Sequence, residues 1–213
     1  LCKMVSLSKS KILTYENCSW AYKLQYVDMI DVPQKQLSKE LQKGNEVHQI
    51  LDDFYKPDST NINLLSGSIA LHPKYEKYKQ DINNFISFNK YLISKQEFFI
   101  PIYREEKMYC DELGISGIVD RIGLGKNGLV LIDYKTGKSK NISEFRFELA
   151  LYTYLFEKNH NQKISEWGIY FVSEDKYVIE PRNQDEINKA IERVHTTRKL
   201  IKKGNFEKNP IYP

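Results

Sequence analysis

The sequence has no apolar run near the ~18 residues that a membrane-spanning helix requires. Its longest apolar stretches resemble Gly128-Leu-Val-Leu-Ile132, so no membrane partner is expected. The start, Leu1-Cys-Lys-Met4, has no hydrophobic stretch of the kind a secretory signal carries. The sequence therefore reads as that of a soluble protein, cytoplasmic or otherwise intracellular. It opens on Leu1 rather than Met, which reads as a fragment or a processed form. Cysteine is scarce: Cys2, Cys18 and Cys110 are widely spaced, odd in number and form no CxxC pair. Neither a disulfide framework nor a four-cysteine metal site can be assembled from these three. Repeats and low-complexity tracts are absent. A marked excess of one charge is also missing, since 32 basic residues stand against 28 acidic ones for a net +4.

What is present is a core. Hydrophobic residues make up 41% and aromatics 13% of the 213 residues, which excludes wholesale disorder. At about 100–200 residues per domain, the length predicts one compact domain. Positive charge is concentrated in two places. Lys135 to Arg146 carries net +3 and Thr196 to Pro213 carries net +4. From charge alone these read as solvated lysine-rich surface rather than as proof of nucleic-acid binding.

Periodicity predicts helices first and strands second. A helix is expected over about Ser8 to Asp28, capped by Ser8 or Ser10. A second is expected over Leu37 to Tyr55, with Leu37, Leu41, Gly44, His48, Leu51 and Tyr55 on one face. Lys56 to His72 reads as a loop, the place for an insertion or disorder. Pro73 then begins a helix to about Ile93, with a stripe of Tyr75, Tyr78, Ile82, Phe85 and Ile86. After Gln96 the pattern changes to strands over Glu97–Cys110, Ile115–Leu124 and Leu129–Lys135. A helix over Ser143–Lys158 follows, then strands over Trp167–Ser173 and Tyr177–Glu180. A last helix, Gln184 to Lys203, presents Ile187, Ile191, Val194 and Ile201 on one face and stops at Gly204. The expectation is a mixed α/β fold, a central sheet flanked by helices. Residues 1–95 form its helical N-terminal part and 96–213 its α/β core, both within a single domain.

The chemistry is concentrated in Gly117-Ile-Val-Asp-Arg-Ile-Gly123 and Leu131-Ile-Asp-Tyr-Lys-Thr-Gly137. Strand alternation places Asp133 and Lys135 on one face with Leu129 and Leu131, and Asp120 on one face with Ile118 and Ile122. Asn127-Gly128 predicts a hairpin between them. If Gly125 to Gly128 is the loop, Leu124 pairs with Leu129 and Asp120 faces Asp133. If Asn127-Gly128 alone is the loop, Asp120 faces Lys135. Two close carboxylates among apolar residues are costly without a compensating cation or proton. A divalent ion with oxygen ligands is one remedy; a salt-bridged Asp–Lys cluster at a sheet edge is the other.

These motifs resemble those of the RecB-type branch of the PD-(D/E)xK nuclease superfamily, which includes the CRISPR-associated exonucleases and the nuclease domains of bacterial recombination helicases. Gly44-Asn-Glu-Val-His48 resembles the GxxxH motif, and Gly117-Ile-Val-Asp120 the first acidic strand. Asp133-Tyr-Lys135 resembles the D-x-K motif, and Glu148-Leu-Ala-Leu-Tyr152 the QxxxY motif. Together, and in order, they cover most of the chain and imply a restriction-endonuclease-like core.

By this resemblance His48, Asp120, Asp133 and the Tyr134 carbonyl are the expected ligands of Mg²⁺ or Mn²⁺, a donor set that suits either ion. Lys135 is expected to orient or activate the attacking water. Glu148 stands where the family has Gln, a group that contacts substrate or a metal-bound water. Its carboxylate can add a metal contact, repel DNA phosphate, or pair with Lys135 or Arg146. Tyr152 shares its helix face, with core packing as its other reading. Lys138, Lys140 and Arg146 are the expected phosphate contacts. His72, His160 and His195 read as surface or loop residues.

Cys18, within Glu16-Asn-Cys-Ser-Trp-Ala-Tyr22, resembles the setting of the first of four cysteines that hold an iron–sulfur cluster in many relatives. Gly204 to Pro213 resembles the stretch before the other three. A cluster needs about four thiolates, so the sequence as it stands cannot form one. Either a cysteine-bearing tail is missing, or Cys18 is a buried residue of a cluster-free member. The implied function is metal-dependent hydrolysis of DNA, as an exonuclease on single strands in recombination, DNA repair or CRISPR adaptation, with proteins of those pathways as partners. The alternatives are a flap or duplex endonuclease, or a non-catalytic nucleic-acid-binding module of a larger complex.

Overall fold

The two-residue turn Lys126-Asn127 sets the register of the central hairpin. In the computed structural model, which describes residues 6–30, 38–97 and 99–208, Gly125 pairs with Gly128 and Leu124 with Leu129. Gly128 has φ +123°, a backbone conformation that a side chain would resist. The register brings Arg121 opposite Ile132, where the regular pairing ends, one residue short of Asp120 and Asp133. The alternative register, with Asp120 facing Lys135, does not occur.

The sheet is mixed and five-stranded, in the order β1 (Tyr103–Cys110), β2 (Ile115–Gly125), β3 (Gly128–Lys135), β4 (Ile164–Phe171) and β5 (Lys176–Pro181). Neighbours are antiparallel except β3 and β4. That parallel pair needs a crossover, which is helix α6 (Arg146–His160). The expected strand over Glu97–Cys110 begins only at Tyr103, because Pro101 has no N–H to give a ladder. The expected strand over Trp167–Ser173 runs instead over Ile164–Phe171, with a 3₁₀ turn over Val172–Glu174.

Helices cover both faces. α1 (Lys9–Asn17) starts at Ser8, whose Oγ accepts from the Lys11 N–H. The long first helix expected from the sequence breaks at Cys18, which takes φ −156° and opens α2 (Ser19–Tyr22). A π-helical turn, Lys23–Val27, follows. α3 (Lys39–Asp53) is capped by Ser38 and buries Val47, Ile50 and Leu51. Leu41, expected on its buried face, is 51% exposed, and Leu37 lies outside the described residues.

The region expected to be a loop holds a helix, α4 (Ile62–Ile69). Asn61 accepts from the Asn63 and Leu64 N–H groups, and Leu65 and Ile69 are buried in the apolar cluster that also holds Phe85 and Phe88. Cap and apolar spacing outweigh its Ser and Gly content. Pro73 sits in a turn; a 3₁₀ turn over Glu76–Tyr78 leads into α5 (Lys79–Ser94). α7 (Gln184–Lys202) is capped by Asn183 and stops at Gly204, where φ is +69°.

Two apolar clusters sandwich the sheet. One packs β1, β2 and β4 against α6, α7 and α1 around Trp167, Phe171 and Phe156. The other packs Val130, Ile132 and Tyr134 against α3, α4 and α5 around Phe54, Phe85 and Phe88. Between them, β1 and β2 depart from strict alternation. Tyr103 meets Phe156 of α6 edge to face, yet Glu106 also reaches α6, at His160. Ile122 joins the α6-side cluster, yet a Cβ on Gly117 would meet Tyr152 and Leu155 of α6. In each strand the two residues have opposite parity, so the faces exchange between them. Regular pairing lapses at that level, between Arg104/Arg121 and Glu106/Val119, and Glu105 takes φ +46°. The exchange corrects the expectation that Asp120, Ile118 and Ile122 share a face. Ile122 is buried and Ile118 is 45% exposed.

Candidate metal centre and nucleic-acid cleft

Asp120 and Glu105 come together at the point where the strand faces exchange. His48 descends on them from α3: its Nδ1 lies 3.1 Å from Asp120 Oδ1. The other oxygen, Oδ2, accepts the Tyr134 N–H at 2.6 Å, so Asp120 is held from both sides. One ligand atom each from His48, Glu105 and Asp120 falls within 4.8 Å of the others. In an extended strand the N–H and C=O of a residue point to the same edge. The Tyr134 carbonyl therefore faces the same opening as its N–H. His48, Glu105 and Tyr134 line a cleft of about 630 Å³ with Gly44, Lys135 and Thr136.

Asp133 and Lys135 lie next to this group, with Glu148 beyond. Lys135 Nζ is 2.5 Å from Asp133 Oδ2 and 3.0 Å from Glu148 Oε2. Glu148 Oε1 lies 3.0 Å from Lys9 Nζ and accepts from the Tyr152 hydroxyl at 3.3 Å. Of the roles open to Glu148, pairing with Lys135 is therefore the one seen, and its second partner is Lys9 rather than Arg146.

The electrostatics are those of crowded buried charge. Burial disfavours the His48 cation, but Asp120, Asp133 and Glu105 outweigh it and raise the pKa to about 9. Burial and the adjacent Asp120 push Glu105 up to about 7. Asp133 is also raised: burial dominates, Lys135 opposes it, and Glu148 and Asp120 add to it. For Lys135 burial pulls down, while Asp133 and Glu148 pull harder the other way. Tyr152 is raised by burial and by Glu148, so it is a neutral donor. Two carboxylates and an imidazole converging within 4.8 Å, with the Asp133 carboxylate beside them on Lys135, fit a divalent cation with hard oxygen ligands.

Other expected residues lie elsewhere. Arg146 is bound through Nε and Nη2 to Glu180, at 3.0 Å each, and Lys140 pairs with Glu144 at 3.1 Å. Lys138 is exposed on the turn after β3. His160, expected on the surface, is only partly exposed: it stacks on Phe156 and meets Glu106 at 3.1 Å. Cys18 is buried, with its sulfur accepting from the Ala21 N–H at 3.4 Å. Beside it the Trp20 N–H donates to the Glu207 carbonyl. Cys2 and residues 209–213 lie outside the described residues. The described helices include none long and apolar enough to cross a membrane.

Two site residues escaped the sequence reading. Lys9 reaches the site only because α1 packs against the sheet, which no local pattern encodes. Glu105 was within reach: pairing Cys110 with Ile115 across the turn at 111–114 places it opposite Asp120, and that pairing is observed.

Comparison with known proteins agrees with this architecture. The family model described as the PD-(D/E)XK nuclease superfamily matches residues 6–212. An 83-residue stretch, 36% of the chain, is 25% identical to an ATP-dependent helicase/nuclease polypeptide of Carboxydothermus hydrogenoformans, and it spans only 7% of that relative. The crystal structure of a candidate exonuclease from Eubacterium rectale superposes with a TM-score of 0.59 over 98% of this chain and 86% of the other. At 13% identity that likeness speaks for the fold alone.

Proposed function

We propose that this chain, which belongs to the PD-(D/E)XK nuclease superfamily, is a divalent-metal-dependent deoxyribonuclease that degrades single strands from an end. The observation that carries the reading is the convergence of His48, Glu105 and Asp120 within 4.8 Å, beside the Asp133–Lys135 pair. In it, His48, Asp120, Asp133 and the Tyr134 carbonyl hold Mg²⁺ or Mn²⁺, with Glu105 as a further oxygen donor. When bound, such an ion polarises the scissile phosphate and lowers the pKa of a coordinated water.

The protein's own groups do the rest. His48 and the Tyr134 N–H fix the Asp120 carboxylate from two sides. Lys135 stays protonated and places its cation where negative charge develops on the phosphate. Glu148 is a positioning residue for Lys135, and Tyr152, through its hydroxyl, positions Glu148. Lys138 and Lys140, exposed after β3, contact phosphates of the strand without reading its sequence; Arg146 joins them only by releasing Glu180. The helicase/nuclease relative is named as a subunit, which supports placing the domain in a larger assembly; recombination or repair is the setting proposed for it.

The test is digestion of end-labelled linear and circular DNA, single- and double-stranded, with Mg²⁺ or Mn²⁺ and then with EDTA. Linear single strands are expected to be shortened progressively and circles to be spared. Asp133→Ala and Lys135→Ala are expected to abolish cutting and to retain binding. Metal-independent binding without cutting would leave a non-catalytic module instead, and cut circles would make the activity endonucleolytic.

A further inference from the structure

Past Glu105, the outward face of β1 runs on from the metal cleft through Lys107 and Tyr109. Same-face residues along a strand lie about 7 Å apart, so these two stand one and two steps from the cleft. Opposite them on β2 are Ile118 and Ser116. Together they line a second cleft of about 660 Å³, which shares Leu41 and Asn45 with the first and reaches Lys9 and Glu148. Tyr109 is 61% exposed and Ile118 45%, while Lys107, also exposed, has no ion pair among the described residues. The ring is on a fixed base: Asn159 donates to the Tyr109 carbonyl at 2.8 Å and accepts from its N–H at 3.4 Å. With its outward backbone groups taken by Asn159, Tyr109 is not open to pairing by another strand, and its side chain is held in place.

We propose that this second cleft seats the nucleotides next to the scissile phosphate, with an unpaired base stacked on Tyr109 and a phosphate on Lys107. A cation followed by an exposed aromatic, continuous with the centre that takes the phosphate, is the pattern by which proteins hold single strands without reading sequence. A paired base has no free face for Tyr109, so the subsite selects single strands over duplex. The proposal rests on the nuclease reading, and its test separates the two.

A fluorescent oligothymidylate is titrated in EDTA, where nothing is cut. Tyr109→Leu is expected to weaken binding roughly tenfold, the order of one base–aromatic stack, and Tyr109→Phe to bind as wild type. Lys107→Ala is expected to lower the slope of log affinity against log salt by roughly 0.7. A 2-aminopurine at the stacked position is quenched by wild type and not by Tyr109→Leu, and duplex affinity is the same in both. Unchanged single-strand affinity in Tyr109→Leu and Lys107→Ala overturns the subsite and leaves the exposed apolar residues to a protein partner. If those losses appear but no metal-dependent cutting does, the subsite stands and the catalytic reading falls.

Discussion

Gly117→Ala tests how closely α6 is seated on β2 at the site. A Cβ built there lies 2.9 Å and 3.0 Å from ring carbons of Tyr152 and 3.0 Å from Leu155 Cδ1. Carbons prefer about 3.5–4.0 Å, so the neighbours must yield by roughly half an ångström or more. Leu155 is fully buried and has nowhere to go, which leaves Tyr152 to move. Overpacking of this kind costs about 1–3 kcal/mol, and the loss of glycine's unfolded-state freedom returns about 0.4–1. The expected net loss is about 1–2 kcal/mol, read as a shift of the urea midpoint at unchanged m-value. Displacing Tyr152 also breaks its hydrogen bond to Glu148 and releases Lys135, so single-strand cleavage should fall with stability. Gly117→Ala/Tyr152→Leu makes room for the methyl and should recover most of the stability but not the activity, a coupling that a double-mutant cycle isolates. A neutral or stabilising Gly117→Ala would refute the packing described.

Gly67 supplies the opposite sign: a Cβ there meets nothing within 4 Å, so Gly67→Ala within α4 should stabilise the protein by about 1 kcal/mol, and a loss in urea denaturation would contradict the helix. Glu148→Gln removes one negative charge from a cleft that must accept phosphate, so single-strand affinity in EDTA should rise severalfold; weaker binding would show that Glu148 does not oppose the strand. Glu180 is buried enough to be pushed up, but its hydrogen bonds from Arg146 and Trp167 prevail and hold its pKa low. Its stabilising effect is then complete above the unfolded value of about 4.3 and is lost as pH falls through the lower folded value. Urea midpoints should decline below about pH 4.5, less steeply in Glu180→Gln; equal slopes in the two proteins would refute this.

The reading of the sequence was strongest where a period and a turn act together. Alternation along β3 set Asp133 and Lys135 on one face, and the hairpin signal at Asn127-Gly128 narrowed the register to two, of which the one with Leu124 opposite Leu129 is observed. Spacing on α3 put His48 on one face with Gly44 and Leu51, and only the resemblance of Gly44-Asn-Glu-Val-His48 to the GxxxH motif linked it to the acidic strands. It was weaker where a cap outweighs composition, as at Asn61, which starts a helix in a stretch rich in Ser and Asn. It failed for the face of Asp120, since alternation was carried through a point where the two strands exchange faces and Glu105 turns to positive φ, and Glu105 was missed because the pairing of β1 with β2 was not followed back from Cys110–Ile115. It failed also at Lys9, whose place depends on contacts between segments far apart in the chain.

That distance has a consequence for how the molecule comes to exist. The Tyr15 hydroxyl donates to the Asn205 carbonyl, 190 positions later, and Ser19 bonds Glu207 across 188. During synthesis α1 and α2 emerge first, yet their last partners emerge only after the whole sheet. Until then α1 is held beside Glu148 mainly through Leu7, whose N–H and carbonyl bond Gly114 and Ser116, and Lys9 lacks the rest of its support. Contacts of such sequence separation slow folding, and they place completion of the cleft at the end of it. A nascent chain with its sheet already formed would thus still lack a finished site, and cutting activity should appear later than secondary structure during refolding.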